Sequence, residues 1–171
     1  MPASYDEIMS DLRKRIFRPV YFLAGDEPYY IDLITDYIAE KVLTEEEKAF
    51  NQVVLYGEDT TISAVIDTAK RFPMMASHQV VIVKEAQSLK KTEDLALYLE
   101  KPLLSTILVI NFRYKVIDKR TKLYKTLEAQ GVYFESMRLR DYQVAPWAER
   151  YLMAKGVKID PGASALLSEY L

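Results

Sequence analysis

The sequence predicts an α/β fold, a mostly parallel five-stranded sheet with helices on both faces. Two observations predict it. Short apolar runs, mostly rich in β-branched and aromatic residues, recur along the first part of the chain, and each of the first four is followed by apolar residues at helical spacing. Half of the 171 residues are hydrophobic, enough for a substantial core in one complete domain and part of another.

The first run is Val20 to Ala24, and Ile31, Ile34 and Ile38 follow it at helical intervals. The second, Gln52 to Tyr56, precedes Ile62, Val65, Ile66 and Ala69, a full i, i+3, i+4, i+7 set. Val80 to Val83 and Ile107 to Ile110 are the third and fourth, followed by helices marked by Leu95 with Leu99 and by Leu123 with Leu127. Gly131 stands where a helix stop is expected before the fifth run, Val132 to Phe134. All five runs suit a sheet buried on both faces. A first domain over residues 1–139 and the beginning of a helical one over 140–171 are therefore expected. In the second, Val144, Trp147, Ala148, Tyr151 and Leu152 form an amphipathic stripe, Gly156 stops that helix, and Asp160 and Pro161 start another.

Composition narrows the chemistry. No cysteine is present, which removes disulfides, thiolate zinc sites and cysteine nucleophiles, and the single histidine, His78, cannot build a metal cluster. His78 reads as a surface or hydrogen-bonding residue. The 23 Lys and Arg against 25 Asp and Glu leave a net charge of -2, without a domain-wide footprint for nucleic acid. No apolar stretch approaches the roughly 18 residues of a membrane span, and the N-terminus lacks a signal-peptide core. A cytoplasmic location without membrane partners is the expectation.

A doubly wound sheet invites a nucleotide at the turn after its first strand, here Gly25-Asp26-Glu27-Pro28. A phosphate loop needs several glycines, a lysine and a Ser or Thr. This turn has one glycine and two carboxylates, so the expected role is a tight strand-to-helix turn with Asp26 or Glu27 at the positive helix end. Lys84 and Glu85 end the third strand, where a phospho-receiver needs its aspartate and a catalytic NTPase its magnesium-holding carboxylate. Asn111 is read as capping a turn after the fourth strand, and Glu45, Glu46 and Glu47 as a solvated turn. No cofactor is expected.

Two segments remain. Arg113, Lys115, Lys119, Arg120, Lys122 and Lys125 are interleaved with Phe112, Tyr114 and Tyr124; the preferred reading is a solvated face with aromatics packed inward, and the alternative is a DNA contact through Lys119, Arg120 and Lys122. Arg71-Phe72-Pro73-Met74-Met75-Ala76-Ser77 places three large apolar side chains around a proline in a connecting loop. Such residues either tuck into their own core or fill a partner's pocket, and methionine suits the second use.

Pro19-Val20-Tyr21-Phe22-Leu23-Ala24-Gly25-Asp26-Glu27-Pro28-Tyr29 resembles the opening strand and turn of the bacterial DNA polymerase III delta subunit family. Phe72 to Val83 resembles that family's clamp-binding element running into the third strand, and Pro146-Trp147 the start of its lid helix. The resemblance implies an AAA+-like fold, of the P-loop NTPase type, with a decayed nucleotide site, a non-catalytic subunit of a DNA-directed DNA polymerase complex, and a truncated helical lid. It implies as partners the sliding clamp (the beta subunit), the other clamp-loader subunits, and primer-template DNA in the full complex. Two adjacent hydrophobic residues of the family's element enter a clamp pocket, and the matching positions are Met74 and Met75, where a leucine and an aromatic are commoner. Phe72 and Pro73 are expected to shape the element, with Phe72 packed inward, and Ala76, Ser77, His78 and Gln79 to form its rim. Readings from other classes are a nucleotide-binding or NTPase switch and a direct DNA-binding module.

Overall fold

The computed structural model describes residues 2–170. The chain divides into two compact units, Met1–Ser136 and Met137–Leu171.

The first unit alternates strands and helices. Its strands are β1 (Val20–Gly25), β2 (Gln52–Tyr56), β3 (Gln79–Lys84), β4 (Thr106–Arg113) and β5 (Val132–Glu135). Its helices are α1 (Tyr5–Arg13), α2 (Pro28–Lys41), α3 (Glu45–Asn51), α4 (Ile62–Ala69), α5 (Leu95–Glu100) and α6 (Lys122–Gln130). All four pairings are parallel, in the order β2-β3-β4-β1-β5. The chain leaves β1 for the far edge, steps back through β3 and β4, and passes β1 to reach β5.

Alternation along β1 divides the core. Val20, Phe22 and Ala24 pack with residues of α4, α5 and α6, whereas Tyr21 and Leu23 pack with those of α1 and α2. The expected five-stranded parallel sheet with helices on both faces is present. One expectation about it changes: β2 is an edge strand, with Val54 and Tyr56 exposed, because it pairs only with β3.

Three further corrections concern single segments. Glu45, Glu46 and Glu47 are the first turn of α3, not a turn between elements. Thr44 Oγ1 accepts the Glu47 N–H at 3.3 Å and the Glu47 carboxylate accepts the Thr44 N–H at 2.9 Å, and negative charge suits a helix N-terminus. Asn111 does not cap a turn. Pairing with β1 extends β4 to Arg113, leaving Asn111 buried within the strand, where Oδ1 accepts a hydrogen bond from Thr35 at 2.9 Å. Helix α1 escaped the periodicity reading, although Ser4 and Glu7 form the same reciprocal cap seen at α3.

Gly131 ends α6 for reasons of space: a Cβ there would lie 2.9 Å from the Val20 carbonyl oxygen. In the second unit, α7 (Asp141–Ala154) and α8 (Pro161–Tyr170) pack against each other. Gly156, at φ +75°, lets the Val157 N–H reach back to Leu152 O, and Asp160 Oδ1 accepts from the Gly162 and Ala163 amides.

Candidate functional site

The connection from α4 to β3, residues 70–78, carries the exposed apolar residues, and two buried amide side chains hold it. Gln79 opens β3 with its side chain turned under the end of α4. Its Nε2 lies 2.6 Å from Arg71 O, 3.0 Å from Thr68 O and 2.8 Å from Thr106 Oγ1, and Thr106 Oγ1 donates in turn to Ala69 O at 2.7 Å. Carbonyls at a helix C-terminus lack intrahelical partners, and this pair supplies them. Gln79 is thus buried and not part of a rim, a correction that follows from its capping role.

The second amide is Asn51, the last residue of α3. Its Oδ1 accepts the Met74 N–H at 2.6 Å, its Nδ2 donates to Met74 O at 2.9 Å, and the same nitrogen donates to Glu47 O at 3.0 Å. Both peptide groups of Met74 are therefore engaged by one side chain 23 positions away. Nothing in the sequence pattern marks Asn51, because the pairing is long-range.

With the backbone held from beneath, the side chains point outward. Met75 is fully exposed (101%), and Phe72 (75%) and Met74 (62%) are exposed over most of their surface. Phe72 therefore does not pack inward as expected. The core at the end of α4 is already filled by Val65 and Ala69, both wholly buried, and the Arg71 carbonyl turned toward Gln79 leaves the next side chain outside. Pro73 and Ala76 are half-buried and Ser77 is exposed. Met75 sits at φ +54°, a left-handed conformation that costs a residue other than glycine about 1 kcal/mol. Phe50, next to Asn51 in the chain, is another exposed aromatic (72%).

His78 is half-buried at the edge of this loop. Ser77 Oγ lies 3.0 Å from its Nδ1, and the Phe17 ring meets it edge-on. Burial, and next the charge of Arg15, hold its pKa below the ordinary 6.5, with Glu47 acting in the opposite sense.

The turn after β1 is built differently. Gly25 N donates to Lys115 O and Glu27 N to Ser136 O, the Glu27 carboxylate caps α2 by accepting the Tyr29 N–H at 3.1 Å, and Pro28 has no N–H to offer. A phosphate is cradled by free amides, and those of Gly25, Glu27 and Tyr29 are taken by the chain's own oxygens. Beyond the carboxyl ends of the strands, where open α/β sheets bind ligands, Arg113 pairs with Asp32 and lies 3.6 Å from Glu85. Gln87 Oε1 accepts the Arg113 N–H, and Lys115 Nζ donates to Gln87 O. Among the described residues no cluster of His, Asp or Glu suits a metal ion, and no helix is long and apolar enough to cross a membrane.

In the basic run, each of the three singled-out cations meets a carboxylate: Lys119 meets Glu135 at 3.2 Å, Arg120 meets Asp118 at 2.7 Å, and Lys122 meets Glu100. Phe112 and Tyr124 are buried, while Tyr114 is exposed.

Residues 21–137 match the family described as DNA polymerase III, delta subunit. The DNA polymerase III subunit delta of Bacillus subtilis (strain 168) is 31% identical over 143 residues, covering 78% of this chain and 41% of that protein. The solved structure of the Bacillus subtilis DNA clamp loader delta protein superposes with a TM-score of 0.77 at 26% identity, over 95% of this chain and 51% of that one. The chain spans about half the length, or less, of these relatives.

Proposed function

From the premise that this chain belongs to the DNA polymerase III delta subunit family, we propose that its AAA+-like unit grips a ring-shaped sliding clamp through Met74 and Met75, without turning over nucleotide itself. The observation that carries this reading is the presentation of Met75: full exposure on a loop whose backbone is fixed through its neighbour Met74 by Asn51. Flexible thioether side chains adapt to an apolar pocket, and a few buried anchors supply most of the affinity of an interface. Phe72 stands beside them as a third apolar contact, with Pro73 shaping the loop and Ala76 and Ser77 at its margin.

Gripping suffices for ring opening. A subunit that binds the open ring better than the closed one shifts that equilibrium by its differential affinity, with no hydrolysis of its own. ATP then acts in other loader subunits, and primer-template DNA is met by the full complex in the cytoplasm. The occupied amides after β1 support the non-catalytic role. In this reading residues 140–171 begin a helical lid.

The test is a titration of this chain against its cognate clamp. Met75→Ala is expected to cost about 2 kcal/mol, roughly thirtyfold in Kd, and the double change with Met74→Ala more. Wild-type affinity in a folded double variant sinks the reading. A parallel titration with Mg-ATP should show no saturable binding, and any turnover would favour a nucleotide switch instead.

A further inference from the structure

Asn51 is 3% exposed and uses its whole amide: one N–H holds Glu47 O in the first turn of α3, and the other N–H and the oxygen hold the two peptide groups of Met74. The first contact belongs to the helix, since it reaches back four residues as side chains at helix ends commonly do. The other two belong to the loop. They fix the orientation of the peptide planes on either side of Met74, immediately before the left-handed Met75. Behind Asn51 the support is rigid, because α3 is capped by Thr44 and runs directly into β2, which pairs with β3. The loop is thus pinned near its middle by Asn51 and at its start, through Arg71 O, by Gln79.

A free loop populates its binding-competent form only part of the time, and the apparent affinity falls by that fraction. We propose that Asn51 is a positioning residue which holds Met74 and Met75 in the presented arrangement before any partner arrives. It touches no partner itself and acts through the peptide groups of Met74. This inference rests on the clamp-gripping reading above.

Asn51→Ser separates the two roles of the side chain. A serine hydroxyl can still donate to the carbonyl four residues back, but is too short to span both peptide groups of Met74. Clamp titration and amide hydrogen exchange of the full chain provide the readouts. The expected result is a roughly tenfold rise in Kd and a roughly tenfold faster exchange of the Met74 N–H, with Val109 and Ile110 in β4 unchanged. Placed on top of Met74→Ala with Met75→Ala, Asn51→Ser should change Kd less than about twofold, since nothing remains to be presented.

Faster exchange at Met74 with wild-type Kd overturns the inference alone, as does a tenfold loss that persists without the methionines. Wild-type Kd in the methionine double variant overturns the clamp-gripping reading and this inference with it. If the serine variant melts below the assay temperature, the unaltered chain still decides: protection of the Met74 N–H must already be present before clamp is added. Protection that appears only with bound clamp overturns preorganisation.

Discussion

The turn after β1 and the connection between α4 and β3 leave one parallel sheet in opposite states. In the turn, the Gly25 and Glu27 amides are matched to carbonyls and the Tyr29 amide to the Glu27 carboxylate, so these three are not offered to an anion. In the connection, Asn51 holds both peptide groups of Met74 and Gln79 holds Arg71 O, but large apolar side chains are left outside. The difference teaches that a loop's chemistry lies in the groups its fold leaves unmatched. Free amides make a phosphate site, and free thioethers and rings make a protein site.

Breaking the turn should have the largest effect. Gly25 sits at φ +121°, and a Cβ there would lie 2.0 Å from Ser136 O, a backbone atom that cannot swing aside. Gly25→Ala is expected to destabilise the fold by about 4 kcal/mol in chemical denaturation. Clamp binding by the fraction that remains folded should be unaffected, because this turn presents nothing to a partner. A fold as stable as wild type would show that the turn is not the tight closure described.

Breaking the connection should reverse that pattern. Met75→Ala removes a fully exposed side chain, so its effect on stability should stay within about 0.5 kcal/mol. The roughly thirtyfold loss expected in clamp affinity then appears without loss of fold. If denaturation midpoint and affinity fell together, the methionine would be part of the core and the contrast between the two loops would collapse.

The two loops were unequally legible in the sequence. The missing glycines and lysine of Gly25–Pro28 are local facts, and they anticipated a turn closed by its own caps. The exposed pair Met74 and Met75 could be named from composition and resemblance, but composition left burial and presentation open. What decides between them is Asn51, 23 residues away, and Gln79, whose polar side chain gave no hint of a buried cap. The same blindness explains Phe72, whose inward packing seemed natural until the filled core at Val65 and Ala69 was seen. The central strands β3, β4 and β1 were legible because a sheet covered on both faces writes continuous apolar runs, and the edge strands β2 and β5 because they are rich in β-branched and aromatic residues. The edge position of β2 was not, since neighbours across a parallel sheet are set by crossovers that no single run records.

A finer change should sharpen the comparison by moving stability and binding in opposite directions. Met75 holds a left-handed conformation that asparagine adopts more readily. Met75→Asn is expected to raise stability by about 0.5 kcal/mol in thermal denaturation while still weakening clamp binding. Unchanged or lowered stability would mean that the conformation carries no strain.

The smallest effect belongs to His78, at the margin of the connection. Its folded-state pKa is held below 6.5, chiefly by burial and then by Arg15, with Glu47 opposing. Well above pH 6.5 the ring is neutral in both folded and unfolded chains, and its contribution to stability is complete. As the pH falls below 6.5 the unfolded chain takes up the proton first, so stability declines until the folded-state value is passed. His78→Gln should remove that part of the slope and leave the remainder of the acid limb, which belongs to carboxylates. Unfolding free energies of both chains between about pH 7 and pH 5 provide the measurement, and parallel curves would show that the ring is not desolvated beside the loop.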